Sequence, residues 1–497
     1  MNGIDRTKDL RSGLEKGVLM GMLALLGVAA ALAETPNILF IYLDDLGYGD
    51  VSFSNPDSKI VTPNIDRLAR EGISFTDAHA AAAVCGPSRY GLLTGRYPWR
   101  RGKGGGGNGE KFRDLFIESG RMTLASLLKQ KGYNTAQLGK WGLRHNYSEA
   151  VLPGREPGEL DAYDFKNKRL MGSQLVGFDY SWCITYLDKE DSNIKSQFEN
   201  GSPLDPTLAE TDPYRWLPDS ADKVVEYLET YAGKRENPKF GIDSKQPFFV
   251  YWDPPSPHDP IVPNEAFVGK SGAGLYGDFV LEVDHYIGNM LQALERLNLA
   301  EKTMVVFASD NGPALSVYDR VKEFDHYSMG ERRGIKTDIL EGGHRVPLVA
   351  RWPGFIEPNQ RSDELVSMTD WLATIAEITG QRIPVNAGED SLSFLSLLRN
   401  GSLKKPYRES IIHHTPRGKF AIRHQDWVFL DDGPAPASEP EWFREKRNVD
   451  PNTFPGQLYH LKDDPMQTVN LYGQYPEKVK EMKALMGKAK KSGRTRG

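Results

Sequence analysis

The sequence predicts an α/β protein: a sheet covered by helices, followed by a small antiparallel sheet with one helix. Three observations predict it. Unbroken apolar runs of strand length recur at residues 38–43, 247–252 and 304–308, the pattern of strands buried on both faces. Segments with helical spacing alternate with these runs, the order that an α/β sheet requires. Beyond about residue 400 the runs shorten and turn residues separate them.

The chain has 497 residues, 39% of them hydrophobic, which is enough to build a large core and excludes disordered and fibrous classes. Its 62 Lys and Arg against 67 Asp and Glu leave a formal charge of −5. That mild acidity argues against a nucleic-acid partner, so any polyanion must meet a local cluster of Lys and Arg. Two cysteines, Cys85 and Cys183, exclude a disulfide scaffold and a four-thiolate metal site.

At the N-terminus, Arg6, Lys8, Arg11 and Lys16 precede an apolar run over 18–33 that closes on Ala31-Leu32-Ala33. A basic flank, an apolar stretch short for a membrane span and a small-x-small ending predict a secretory signal peptide over 1–33. The protein is then exported, periplasmic or secreted; a retained membrane anchor is the other reading of the same run. No second apolar stretch of spanning length occurs in the sequence, so no stable membrane insertion is expected after cleavage. Residues 34–400 form the main domain and 401–497 a C-terminal subdomain.

The run 38–43 ends at Asp44-Asp45, and a helix is expected over 64–71. A second helix is entered through Pro87 and Ser88, because proline suits the first helical turn. Residues 124–131 are helical, 247–252 a strand, and 276–297 a long helix with Val280, Val283, Ile287, Met290, Leu291 and Leu294 at helical spacing. The strand 304–308 ends at Ser309-Asp310-Asn311-Gly312. Past residue 400, short strands fall at 411–412, 420–423, 427–430 and 458–460, and an amphipathic helix at 477–488. The glycine-rich stretch 101–110 lacks the Gly-Lys-Ser/Thr ending of a phosphate-binding loop and receives no nucleotide role.

Ligands bind at strand ends in α/β sheets, and two of these strands end in carboxylates. Asp44, Asp45, Asp310 and Asn311 together offer hard oxygen donors of the kind Ca2+ or Mg2+ prefers. An Asp-Asp pair taken alone is equally a turn or a helix cap. Cys85 stands just before the Pro87 helix, where the dipole and Arg89 favour an anion or a thiolate. For an isolated cysteine the alternative is a buried structural residue.

Cys85-Gly86-Pro87-Ser88-Arg89 followed by Leu93-Thr94-Gly95-Arg96 resembles the signature of the type I sulfatases, in which the cysteine is oxidised to Cα-formylglycine. Further blocks match in the family's order: Pro36-Asn37-Ile38 through Asp50, Gly139-Lys140-Trp141, Ser256-Pro257-His258, Ser309-Asp310-Asn311-Gly312 and Glu341-Gly342-Gly343-His344-Arg345. The resemblance is closest to arylsulfatases and N-acetylgalactosamine-6-sulfatases. It implies an alkaline-phosphatase-like mixed sheet sandwiched by helices, with 34–400 as the catalytic domain.

By that resemblance Asp44, Asp45, Asp310 and Asn311 hold one Ca2+. Cys85, once converted by a formylglycine-generating enzyme, becomes a hydrated aldehyde; one hydroxyl attacks sulfur and the other drives sulfate out. Arg89, Lys140 and Lys336 match positions that bind sulfate or orient the nucleophile, and His258 matches the acid that protonates the leaving alcohol. One departure is Gly142, where many members carry a His that takes a proton; His145 is either its substitute or a surface residue. The implied substrate is a sulfated saccharide, a glycosaminoglycan or an algal galactan. The segment 186–216 is expected to line the pocket. His413-His414 is read as either sugar-facing or a solvent-facing strand end. A phosphatase or phosphodiesterase of the same fold, and a non-catalytic binder of sulfated glycans, are the rival functions.

Overall fold

Strand β1 (Asn37–Leu43) is buried along its whole length. Its side chains alternate between two cores: Ile38, Phe40 and Tyr42 enter one, Leu39, Ile41 and Leu43 the other. That is the pattern of a strand covered on both faces. In this computed structural model the described residues are 35–102, 115–146, 150–155, 162–164, 167–186, 195–205, 211–415, 417–433, 438–450 and 453–496. The expected signal peptide over 1–33, most of the glycine-rich stretch at 101–110 and parts of 186–216 lie outside them.

The other strands, in chain order, are β2 (Ile73–Phe75), β3 (Ala78–His79), β4 (Asn134–Lys140), β5 (Tyr180–Tyr186), β6 (Lys195–Glu199), β7 (Ser202–Pro203), β8 (Phe248–Asp253), β9 (Thr303–Ser309), β10 (Leu348–Arg351), β11 (Gln360–Ser362) and β12 (Val366–Ser367). They form a ten-stranded sheet in the order β11-β2-β10-β9-β1-β8-β4-β5-β6-β7, beside a separate β12-β3 pair. The centre is parallel: β1 pairs with β8 and β9, and β4 with β8 and β5. The flanks bring antiparallel pairs at β9–β10, β2–β10, β5–β6 and β6–β7, so the sheet is mixed.

Helices α1 (Pro63–Arg70), α2 (Cys85–Thr94), α3 (Leu124–Lys129), α4 (Pro213–Tyr231), α5 (Gly274–Arg296), α6 (Glu341–His344) and α7 (Trp371–Ile378) connect these strands. Side chains of α1, α4 and α5 fill one core, and those of α2, α3 and α7 fill the other. The α1 terminus is held from across the core: Asp284 of α5 accepts from Asn64 N at 3.1 Å and Ile65 N at 2.8 Å. A carboxylate placed there satisfies donors that a helix start leaves free.

The C-terminal sheet is antiparallel in the order β13 (Ser410–His414), β14 (Phe420–His424), β15 (Trp427–Leu430) and β16 (Gln457–His460). Helix α8 (Pro476–Lys491) covers one face, where Val479, Met482 and Met486 meet Ile411, Ile422, Phe429 and Leu458. Ile339 and Leu340 of the main body pack among Ala421, Val428 and Leu430. Asn37–Gly497 therefore clusters as one compact unit.

Four elements in particular escape the sequence pattern. β4 reads Asn-Thr-Ala-Gln-Leu-Gly-Lys and is too polar for an apolar run, yet all but its first residue are buried. β5 and β6 fall beside or inside the segment read as a pocket insert, and α4 carries Pro218 within it, which reads as a break.

Candidate active site

β1 and β9 run parallel and in register, with Leu43 opposite Ser309. The residues that follow each strand therefore emerge side by side. Asp45 N donates to Asp310 Oδ1 at 3.2 Å, and Asn311 Nδ2 donates to Asp45 Oδ1 at 2.7 Å. Asp45 has φ 65°, a left-handed turn that sends the chain sharply away from the strand. The loop beyond is braced beneath: Asp50 accepts from Gly47 N at 2.7 Å and from Tyr276 Oη at 2.6 Å, and His326 contacts it at 2.8 Å.

Arg89, on the second turn of α2, reaches into this corner with no exposed side chain. Its guanidinium lies 3.2 Å from Asp44 Oδ2, 3.0 Å from Asp310 Oδ2 and 3.2 Å from Asp253 Oδ2 at the end of β8. Burial disfavours that charge, but Asp310, Asp44 and Asp253 hold the arginine firmly protonated. Lys140, closing β4, sits 2.5 Å from Asp44 Oδ2, and Lys336 lies 2.7 Å from Asp45 Oδ1. His258 Nε2 is 3.6 Å from Asp45 Oδ2, with its side chain 24% exposed against 6% for Lys140. His258 and Lys336 thus face the open side of the cluster.

Burial opposes the Asp44 charge, yet Lys140, His258, Arg89 and Lys336 together hold its carboxyl below the usual range. Asp310 goes the other way. Burial, then the charge on Asp44, pushes it up to about 7. Crowded carboxylates of this kind want a cation among them. Two oxygens buried in the cluster, Asp44 Oδ1 and Asn311 Oδ1, have no hydrogen-bond partner. Orphaned oxygens beside further carboxylates fit a hard divalent cation, and the four residues form a candidate metal-binding site. Four carboxylates, Asp44, Asp45, Asp253 and Asp310, face Arg89, Lys140 and Lys336, so an added divalent ion would turn the balance positive and favour an anion.

Cys85 starts α2 half-buried, and its sulfur lies within 4.8 Å of ligand atoms of Asp44 and Asp310. Burial pushes the thiol up; Lys140 and Lys336 pull it down while Asp44 and Asp310 push further up. The expected support for a thiolate is outweighed, because the same corner that supplies cations supplies carboxylates. Unconverted, this sulfur is a thiol and a poor nucleophile.

The chain matches the family described as Sulfatase over residues 36–381. It belongs to the sulfatase family. An N-acetylgalactosamine-6-O-sulfatase of Bacteroides thetaiotaomicron is 33% identical, the alignment covering 92% of this chain and 94% of the relative. Human arylsulfatase A is 30% identical, covering 94% of this chain and 90% of the relative. A solved Bacteroides thetaiotaomicron structure from the metabolism of multiple glycosaminoglycans superposes with a TM-score of 0.76 at 28% identity, covering 92% of this chain and 99% of that one. The protein is a sulfatase enzyme, a hydrolase of sulfate esters.

Asp44, Asp45, Cys85, Arg89, Lys140, His258, Asp310, Asn311 and Lys336 of this sulfatase come together at one end of the central strands. His145 is placed elsewhere in its detail: it is buried against Gly172, where an added Cβ would stand 2.5 Å from its Nδ1. Its burial shows that it is not a surface residue, and that burial lowers its pKa to about 3. Gly142 has φ 65°, and a Cβ there would stand 3.1 Å from Arg89 Cδ. His413 and His414 are both buried, which removes the sugar-facing and the solvent-facing readings alike. Asp253 and Gln137 are the residues that sequence reasoning misses; Gln137 Nε2 donates to Asp253 Oδ1 at 2.9 Å. The signal for Asp253 is present, since it ends an apolar strand as Asp44 and Asp310 do. Among the described residues no helix is long and apolar enough to cross a membrane.

Proposed function

We propose that this sulfatase removes sulfate from a sulfated carbohydrate, a glycosaminoglycan or an algal galactan, with Cys85 converted to Cα-formylglycine and one Ca2+ bound by Asp44, Asp45, Asp310 and Asn311. The observation that carries the reading is the pair of partnerless oxygens on Asp44 and Asn311, set beside Cys85 and three fixed cations. The converted residue would supply a hydrated aldehyde, one hydroxyl to attack sulfur and one to drive sulfate out, and the ion would offset charge on a sulfate oxygen.

The chain's own residues do the rest. Arg89 spans Asp44, Asp310 and Asp253 and so fixes the corner in which the nucleophile stands. Lys140 and Lys336, held at 2.5 and 2.7 Å by Asp44 and Asp45, present positive charge where sulfate oxygens gather it in the transition state. His258, the most open of the group, protonates the departing sugar oxygen so that it leaves as a hydroxyl. His145 takes no step, because its packing against Gly172 supports a structural role.

The relative named for N-acetylgalactosamine-6-O-sulfate supports a hexosamine sulfate as substrate. The basic and apolar N-terminal sequence supports export, and conversion of Cys85 requires a formylglycine-generating enzyme as a maturation partner.

Sulfate release is measured on protein co-expressed with that enzyme. The panel holds chondroitin-type, carrageenan and ulvan oligosaccharides, nitrophenyl sulfate and nitrophenyl phosphate, with Cys85→Ala as control. Release from one glycan, lost in the control, is expected, with the aldehyde detected on the Cys85 peptide by mass spectrometry. Phosphate release alone, or silence with the aldehyde present, would overturn the substrate reading.

A further inference from the structure

Three histidines from distant parts of the chain meet in the core, and none belongs to the carboxylate cluster. His79 closes β3, His344 closes α6 and His413 lies on β13 of the C-terminal sheet; each is at most 1% exposed. One ring nitrogen of each lies within 4.8 Å of the others. His79 Nδ1 and His344 Nδ1 are 3.0 Å apart, and the rings of His344 and His413 stack with centroids 3.5 Å apart at 10°.

With both outward contacts made by ring N–H donors, the hydrogen-bond roles in this cluster do not close within the protein. Asp77 Oδ1 accepts from His79 Nε2 at 2.7 Å, and the Ile339 carbonyl, which can only accept, stands 3.4 Å from His344 Nε2. A neutral imidazole carries a single N–H. With both spent outward, two Nδ1 lone pairs face each other, so a cation belongs between them unless His344 takes the other tautomer and turns a lone pair on the carbonyl. His413 adds an independent observation: neither of its ring nitrogens has a hydrogen-bond partner. Buried donors and acceptors are nearly always satisfied, and a ligand is one way to satisfy them.

We propose that His79, His344 and His413 form a second metal site, for a borderline divalent cation with Zn2+ foremost, which fastens the C-terminal sheet to the main body. Imidazole nitrogens suit such a cation, whereas the all-oxygen corner at Asp44 suits a harder one, so the two sites sort their metals by chemistry. Asp77 on the far nitrogen of His79 is the outer partner that fixes a metal-binding tautomer. Two charge pairs stand around the cluster: Arg423 meets Asp77 at 2.6 Å and Arg345 meets Glu341 at 3.0 Å. Coordination turns His413 edge-on to the ion and opens its stack on His344, and any proton shared by the first pair is released.

The full chain is saturated with Ca2+, equilibrated with Zn2+ and freed of excess metal, and its zinc is counted beside His413→Ala treated identically. The proposal expects one more zinc per chain in the wild type, and a Zn2+-dependent rise in Tm that the variant lacks. Equal zinc in both proteins, or a wild-type Tm indifferent to Zn2+, overturns it. Should His413→Ala fail to fold, the zinc-edge anomalous signal of wild-type crystals decides. A peak bounded by the three imidazoles upholds the site; no peak, or a peak only at Asp44 and Asp310, rejects it.

Discussion

Asp253 Oδ2 lies 3.2 Å from Arg89 Nη1, tying the end of β8 to the helix that opens at Cys85. Both side chains are fully buried, and Arg89 is thereby set by three strand ends at once. Breaking one buried charge pair costs about 3–5 kcal/mol. Asp253→Ala is expected to lower Tm and to reduce kcat/KM for sulfate release about 10–100-fold, the range for outer partners of site residues. Asp253→Asn keeps an acceptor and recovers part of the loss. Steady-state kinetics on folded variants check this; an unaltered kcat/KM would mean Asp253 does not position Arg89.

Gly142 occupies a left-handed conformation, and the space its Cβ would need lies 3.1 Å from Arg89 Cδ. Left-handed backbone costs a residue with a Cβ roughly 1–2 kcal/mol. Gly142→Ala is therefore expected to lose about that much stability. It should also depress kcat more than KM, by pressing on Arg89 rather than on the substrate. Chemical denaturation and kinetics measured together separate the two effects, and a variant that loses stability alone would refute the coupling.

Stripping divalent metal leaves Asp44, Asp45 and Asp310 facing one another with the Asp44 and Asn311 oxygens unpaired. Tm should fall on treatment with a Ca2+-selective chelator and return when Ca2+ is restored. At about 100 times its Kd the ion adds ~2.7 kcal/mol. Asp44→Asn should blunt that response. Calorimetry on both proteins is the check, and an identical Ca2+ response in the two would exclude Asp44 as a ligand.

Burial pushes the Asp338 carboxyl from 3.8 up to about 7, though it accepts from Ile335 N at 3.1 Å and Ser438 Oγ at 3.2 Å. A raised carboxyl keeps its proton in the folded state over a range where the unfolded chain has lost it. Its contribution to stability is therefore present at low pH and fades as pH rises between about 4 and 7. Asp338→Asn removes that titration, so its Tm should gain on the wild type as pH climbs through the window. A Tm difference constant with pH would falsify the assignment.

The legible parts of the molecule share a physical reason. β1, β8 and β9 are covered on both faces, so they carry apolar residues without interruption, and the carboxylates that end them stand out. β4 is just as buried but hides its nature, because Gln137 serves Asp253 and Lys140 serves Asp44. Residues recruited to the site erase the pattern that would reveal their strand. His413 is obscured by distance: its neighbours His79 and His344 come from far along the chain, and local periodicity carries no trace of them. His145 lies close to Lys140 in sequence, yet its ring packs against Gly172.

Because alternate side chains of β1 belong to opposite cores, its register is specified twice. Shifting the strand by one residue would exchange the contents of both cores and reverse which way Asp44 and Asp45 point. The charged corner is thus inherited as a unit that tolerates no sliding. The segments that join the strands carry no such double constraint, so a change in the sulfate ester accepted is expected to come from exchanging loops while the charged corner stays as it is.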